Sequence, residues 1–384
     1  MSAIFSRLPT SIFEHMSGLA AAHQAVNLGQ GFPDFGWSDA VVGKAARSLC
    51  EDSNQYPPMR GLMELREAVA RHYRDRQGLP VESGQVIITS GATEALASSL
   101  LALVSPGDEV LLFQPLYDAY VPIVLRSGGL PRFVSLEPPR WRITAEALAA
   151  AITDRTRVIV LNHPHNPTAR LLDADELRIV AEACVEHDLV AVSDEVWEHV
   201  VFDGGRFVSL AALPGMAERT VKIGSAGKIF SLTGWKVGWV IAPPALADTI
   251  ARAHQFVTFT TAPNLQRAVA FGLSRPMAEV DETSSAFAAS RDRLRIGLEA
   301  EGFVTLAAEA TYFMTVDLAA SGIDADDVTF CERAVREAQV AAIPISALYA
   351  EDPVRNVIRL CFAKRAETLD AGIEGLARAK ALMA

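Results

Sequence analysis

Cysteine is scarce in this chain: there are four in 384 residues, Cys50, Cys184, Cys331 and Cys361. They lie far apart without metal-ligand spacing, which excludes a disulfide framework and suits free thiols in a reducing compartment. Basic clusters are missing too. The net charge is −11, and no lysine- and arginine-rich run is interleaved with aromatics. Nucleic acid is therefore not an expected partner, although a local pocket can still be cationic. No apolar run is long enough to cross a bilayer. The start, MSAIFSRLPTSIFEHM, lacks the cationic segment and apolar run of a secretory signal. A soluble cytoplasmic protein is the expectation. Internal repeats and low-complexity tracts are absent as well. Apolar residues, by contrast, make up 50% of the chain and charged ones 21%, enough for one large core or two smaller ones.

Those apolar residues are regularly arranged. Residues 1–40 read as an arm with turn chemistry at Asn27, Gly29, Gly31, Pro33 and Asp34, and NQYPPMRG (Asn54 to Gly61) is another turn. Helical spacing follows in LMELREAVARHYRDR. Seven apolar, β-branched runs come next: Val86–Thr89, Val110–Phe113, Arg132–Leu136, Val158–Leu161, Leu189–Ser193, Val221–Gly224 and Val237–Ile241. Helical stretches separate most of them, at Ala92–Val104, Ala119–Arg126, Ala145–Ile152 and Asp175–His187. Strands alternating with helices imply an α/β fold with a mostly parallel seven-stranded sheet. Beyond about Pro276 the pattern becomes a long charged helix and then TYFMTVDL, CERAVREAQ, VAAIPIS and VIRLCFA. That reads as a smaller α+β unit.

In an open parallel sheet, ligands bind beyond the C-terminal ends of the strands. Five of the expected strands run there into polar or glycine residues, namely SGATEAL, QPLYDAY, NHPHNP, SDEVW and SAGK. The stretch TVKIGSAGKIFSLTGWKVGWVIA places Ser225, Lys228 and Lys236 on backbone loosened by Gly224, Gly227 and Gly234. A lysine among small residues at a strand end can be held neutral and nucleophilic toward a carbonyl; the alternative is a glycine-rich turn with two surface lysines. Gly91, Ala92 and Thr93 open a helix whose first N–H groups can cradle a phosphate, or they form an ordinary start capped by Ser90 or Thr93. Asp194 ends a very apolar strand. It either faces a protonated ring nitrogen or caps the next turn. Asn166 either donates to a ligand oxygen or starts a turn with Pro167. Tyr117 either lies on a heteroaromatic ring or packs in the core. Arg359, inside the apolar strand VIRLCFA, needs a carboxylate, either a substrate's or an internal one. Taken together, a Schiff-base lysine, a ring-nitrogen aspartate, a phosphate cup and a carboxylate clamp describe a pyridoxal 5′-phosphate site. No metal is called for.

The motifs SAGKIFSLTGWKVGW, NHPHNPTA, VSDEVWEH, NLGQGFPDF, NQYPPMRG and IRLCFAK resemble the class I/II aminotransferases of fold type I, most of all the kynurenine, glutamine and methionine group. The resemblance runs from about Phe13 to about Lys364. It implies an arm and part of a small domain in residues 1–45, a large cofactor-binding domain in 46–280 and a C-terminal small domain in 281–384. Lys228 is then the lysine that carries the cofactor and moves the proton at the substrate α-carbon. Asp194 meets the pyridine nitrogen, Asn166 reaches the phenolic oxygen and the substrate carboxylate, and Tyr117 stacks on the ring. Ser225, Lys236 and the Gly91–Thr93 backbone hold the phosphate, joined by Tyr56 of a second subunit. Arg359 clamps the α-carboxylate beside Gly31. A homodimer with shared active sites follows.

Two positions depart from the family pattern. Trp197 stands where a tyrosine normally donates to the phenolic oxygen, and Ala169 where a glycine follows the NPT segment. In the side-chain pocket Phe13 takes the place of the arm's aromatic residue, while Phe259 and Thr260 occupy a Phe–His pair, so the histidine is absent. No second substrate arginine can be named. The expected reaction is ping-pong transfer of an amino group from a neutral or aromatic L-amino acid, such as methionine, glutamine or kynurenine, to a 2-oxo acid. A cysteine-conjugate β-lyase and a cofactor-binding regulator without turnover are the alternatives.

Overall fold

Runs such as VIVL and VAV have no polar face to turn to water, so they are stable only between two layers of helices. The computed structural model, which describes residues 4–383, places them there. A short strand β1 (Val26–Asn27) precedes the main sheet of β2 (Val86–Thr89), β3 (Glu109–Gln114), β4 (Leu130–Ser135), β5 (Thr156–Asn162), β6 (Val190–Asp194), β7 (Thr220–Ser225) and β8 (Gly238–Ile241). The seven lie in the order β2-β8-β7-β6-β5-β3-β4. All are parallel except β8, which runs antiparallel to β2 and β7. Every residue of β2, β3, β7 and β8 is buried. These are the strands expected from the sequence, with bounds shifted by one or two residues.

The helices between them follow from local signals. Ala174–Glu186 begins with a reciprocal capping box between Asp173 and Glu176. Met63–Gln77 stops at Gly78, whose left-handed φ of 67° a side chain would disfavour. The arm is not all turns, as expected, but carries the helix Ile12–Ala22, capped by Ser11, which accepts from the Phe13 N–H. Helices Asp39–Glu51, Pro244–Val257 and Pro263–Leu273 were also not foreseen.

The C-terminal part forms a second, antiparallel sheet from β9 (Val304–Thr305), β10 (Phe313–Asp317), β12 (Ile343–Pro344) and β13 (Val357–Cys361), in the order β12-β13-β10-β9. Strand β11 (Val340–Ala341) pairs in parallel with β1. This pairing, with the bond from the Cys361 N–H to the Leu28 carbonyl, lays the arm along the small sheet. Arg359 of β13 and Gly31 of the arm are thereby brought opposite the C-terminal ends of β2, β5, β6 and β7.

Candidate active site

Register alone assembles one side of the cleft. Gly238 of β8 lies opposite Thr89 at the end of β2 and Ser225 at the end of β7. The loop before β8 carries Lys236, and the residues after Thr89 open the helix Gly91–Leu103. A side chain at Gly238 would lie 2.8 Å from the Gly91 carbonyl carbon, so only glycine lets the helix start approach the sheet so closely. Ser90 makes no side-chain capping bond there. The first N–H groups of this helix are not capped by its own residues, and they share the cleft with Ser225 and the Lys236 amine. Such a cup could bind an anion.

Strands β5 and β6 build the floor. Asn162 pairs in register with Asp194, and its side-chain amide donates to the Asp194 backbone carbonyl at 2.9 Å. The Asp194 carboxylate is buried, with one oxygen accepting from the Tyr120 hydroxyl at 2.7 Å and the other, Oδ1, without a partner. Burial raises its pKa from 3.8 to about 6, against the lowering by the Tyr120 bond. A carboxylate in this condition is stabilised by a cationic ring nitrogen. A backbone N–H, that of Val196, also lowers its pKa, so the carboxylate meets the following turn while Oδ1 stays unpaired. Tyr117 flanks the same floor, edge-on to Tyr120 at 5.7 Å.

Lys228 is half-buried and faces Asp194 across the cleft. Burial lowers its amine to about 8; nearby Arg359 and Lys236 act in the same direction, and Asp194 opposes them. Its Nζ donates to the Tyr312 hydroxyl at 2.9 Å and stands 4.5 Å from the Trp197 ring centroid. An amine lowered this far is partly neutral near physiological pH and can attack a carbonyl.

Arg359 lines the same cleft from the small sheet. It is 1% exposed, and among the described residues no carboxylate pairs with it. Its Nη1 donates to Asn166 Oδ1 at 2.8 Å and its Nη2 to the Gly29 carbonyl at 3.0 Å, while Nε is buried without a partner. The guanidinium lies 3.9 Å from the Phe313 ring centroid and 4.9 Å from that of Phe13. Burial brings its pKa down to about 10. A buried cation without an internal anion fits a ligand carboxylate.

The cleft, about 560 Å³, brings together the expected site residues except Tyr56 and the pocket pair Phe259 and Thr260. Tyr56 is 85% exposed and touches Phe259 edge-on at 5.9 Å. Sequence reasoning missed Tyr120, Tyr312, Phe313, Asn162 and Asp118, all within or against the cleft. Of the two departures, Trp197 packs edge-on against Tyr312 at 4.4 Å and Phe313 at 5.3 Å. Ala169 is forced to a left-handed φ of 62°, which is costly for a residue with a Cβ.

The anion cup, the unpaired carboxylate oxygen and the low-pKa amine fit pyridoxal 5′-phosphate, and with the helix-covered, mostly parallel sheet they define a fold type I enzyme using that cofactor. Residues 23–376 match the family model described as aminotransferase class I and II, and the chain belongs to that family. It is 39% identical to the methionine aminotransferase of Escherichia coli K12, with 97% of each chain covered. Identity to the probable N-succinyldiaminopimelate aminotransferase of Mycobacterium tuberculosis is 40%, covering 96% of this chain and 95% of that protein. The solved N-succinyldiaminopimelate aminotransferase structure from that organism superposes with a TM-score of 0.96, at 40% identity, over 99% of this chain and 100% of the other. Human kynurenine–oxoglutarate transaminase 1 is 34% identical, with 94% of each covered. The chain is a pyridoxal phosphate-dependent aminotransferase. Among the described residues no helix is long and apolar enough to cross a membrane.

Proposed function

We propose that this aminotransferase takes its amino group from a neutral or aromatic L-amino acid of the methionine, glutamine or kynurenine class and passes it to a 2-oxo acid. The observation that carries the reading is Arg359, a buried guanidinium between two phenyl faces with no internal carboxylate partner. Three cationic side chains line the cleft: Lys228, Lys236 and Arg359. With Lys228 on the cofactor and Lys236 on its phosphate, one remains, and it matches one carboxylate. The rest of the lining is aromatic (Phe13, Phe313, Trp197) or acidic (Asp118, Glu14), which disfavours a second negative charge on the donor. This argument sets the N-succinyldiaminopimelate type of donor behind methionine. None of the relatives named above is called a lyase or a regulator.

When bound, the cofactor supplies a covalent anchor for the substrate amine and an electron sink for the α-carbon. The chain does the rest. Asp194 would hold positive charge at the ring nitrogen through its unpaired oxygen, while Tyr120 fixes that carboxylate. Lys228 would anchor the cofactor, and its free amine would be the group to carry the α-proton at Nζ. Arg359 and Asn166 orient the α-carboxylate, with the Gly31 backbone beside it. Gly91, Ala92, Thr93, Ser225 and Lys236 would hold the phosphate, and Tyr117 would cover the ring. Trp197 and Phe13 add apolar surface to the cleft.

The reading includes a homodimer in which Tyr56 reaches the neighbouring phosphate and Phe259 the neighbouring side-chain pocket. Their exposure and mutual contact outside their own cleft support it. The domain division at 1–45, 46–280 and 281–384 belongs to the same reading, supported by the β1–β11 pairing. So does a cytoplasmic location, which the free cysteines support.

The test is a half-reaction followed by the visible absorption of bound cofactor. Methionine, glutamine, kynurenine and N-succinyldiaminopimelate are each added to the purified protein and to Lys228→Ala. Conversion by a neutral donor with release of its 2-oxo acid supports the reading. Fastest conversion by N-succinyldiaminopimelate overturns the substrate class. A spectrum unaltered by Lys228→Ala overturns the lysine.

A further inference from the structure

The roles above leave unused a hydroxyl that touches Lys228 directly, that of Tyr312. Tyr312 is 1% exposed and precedes β10, and its hydroxyl makes two hydrogen bonds. It meets the Gly31 carbonyl at 2.8 Å and Lys228 Nζ at 2.9 Å. A carbonyl can only accept, so the phenolic proton is committed to Gly31 and the oxygen lone pairs face the amine. The direction of the chain is thereby fixed, from the Lys228 N–H to the tyrosine oxygen and from the tyrosine O–H to the arm. Trp197 has no hydroxyl to offer. Its ring instead supports the amine from 4.5 Å and packs edge-on against Tyr312.

The arm can sense what lies in the cleft. A side chain at Gly31 would come within 2.8 Å of the Phe313 ring, so the arm backbone rests directly on the residue after Tyr312. That ring in turn lies 3.9 Å from the Arg359 guanidinium. One short segment, Tyr312–Phe313, therefore touches the arm, the carboxylate clamp and the lysine.

We propose that Tyr312 is a positioning residue that ties the N-terminal arm to Lys228: with its proton given to Gly31, its oxygen holds the lysine amine above Trp197 whenever that amine is not covalently engaged. The inference rests on the reading that Lys228 carries the cofactor. An amine released from the cofactor must stay near the α-carbon to move its proton, and a four-carbon side chain without an acceptor would sample other rotamers. The Gly31 carbonyl, by taking the phenolic proton, leaves the tyrosine oxygen free to accept from that amine.

The experiment compares wild type, Lys228→Ala, Tyr312→Phe and Gly31→Ala. Phenylalanine preserves the packing against Trp197 and removes only the oxygen, and thermal unfolding checks that the variant is folded. Each protein is stripped of cofactor, and the initial rate of pyridoxal phosphate capture, trapped by borohydride, is measured against pH. An acceptor near an ammonium favours its charged form, so its loss moves the capture midpoint to lower pH, by about half a unit to one unit. Turnover with the best donor should show kcat down about tenfold with KM within about twofold, as expected for a lost hydrogen bond that matters in the reaction step. Gly31→Ala, which pushes the carbonyl off the tyrosine, should move the midpoint in the same direction. A Tyr312→Phe protein with wild-type midpoint and kcat overturns the proposal, as does a lowered melting temperature without a shifted midpoint. Wild type that captures cofactor no better than Lys228→Ala overturns the underlying reading instead, before Tyr312 is considered.

Discussion

Burial acts in opposite directions at Asp194 and Lys228, and the difference has consequences for stability. Asp194 is raised from 3.8 to about 6 by burial, so the native chain holds a proton that the unfolded chain has lost. Its contribution to stability is fully present below about 4 and is lost as pH rises through 6. Lys228 is lowered from 10.5 to about 8, again mainly by burial. Between 8 and 10.5 the unfolded chain binds the extra proton, so this group's contribution rises with pH in that window. Near neutrality the cofactor-free protein therefore carries a penalty at both groups. Asp194→Asn removes one of them. It should raise the melting temperature of the cofactor-free protein at pH 7, by an amount corresponding to at most about 3 kcal/mol, one pKa unit being worth about 1.4. The same change should lower turnover on the order of a hundredfold or more, because the ring nitrogen loses its counter-charge. A cofactor-free protein that is less stable after the change refutes the electrostatic account. Arg359→Lys keeps the charge but loses the planar fork. It should reduce kcat/KM for the donor roughly 10- to 100-fold while leaving captured cofactor unchanged. That Lys228, Asp194, Asn166 and Arg359 line one cleft could be anticipated because each stands in or beside an apolar run where its polarity is anomalous. Tyr120 and Tyr312 could not. They act across 74 and 84 residues of chain, and a tyrosine beside a strand looks the same whether its hydroxyl meets water or a catalytic group.

At the scale of elements, the sheet was readable where strands are buried on both faces and therefore uniformly apolar. Strand β4 was read late, from Arg132, because it opens with an exposed Leu130 and a proline. It is the edge of the sheet, where a missing N–H is tolerated. Helix Pro244–Val257 escaped notice because two of its four buried residues are alanine and one is histidine, which mark a buried stripe weakly. Strand β7 hides a different feature. Between Val221 and Ile223 it carries Lys222, 1% exposed, bonded to Glu195 and to Glu198 at 2.8 Å, with its amine 4.7 Å from the Tyr73 ring centroid. The two glutamates flank Asp194 and Trp197 along the chain. Glu198 also accepts from Tyr73, and Glu195 from Ser193 and Ser209. This network anchors the β6 end that presents the site aspartate. Lys222→Ala leaves two buried carboxylates without a cation and should cost about 3–5 kcal/mol in urea unfolding of the cofactor-free protein. A loss below about 1 kcal/mol would mean that the carboxylates reach water or take up protons easily.

For the whole molecule, the question is whether one chain suffices. Tyr56 and Phe256 are 85% and 84% exposed, and Val257 and Phe259 expose 45% and 40%. Phe259 also holds a left-handed φ of 65°, a strain that bulky residues rarely carry unless the position is useful. Tyr56 and Phe259 touch each other and line no part of their own cleft, so as a surface of an isolated chain they gain little. In the proposed dimer they complete the neighbouring site, and catalysis then depends on the pair. Purified protein should sediment at about twice 41.3 kDa. A decisive arrangement mixes two inactive variants, Lys228→Ala and Tyr56→Ala, under conditions that exchange subunits. In a mixed dimer one site combines the altered lysine with the altered tyrosine, and the other has both residues intact. Recovered activity should therefore approach about one quarter of the wild type at equal mixing, since half of random dimers are mixed and each has one good site. If Tyr56→Ala is inactive and mixing restores nothing although subunits exchange, Tyr56 serves its own chain and the shared site is wrong. A monomeric, fully active protein would remove the dimer from the account altogether and leave Phe259's strained backbone without a reason.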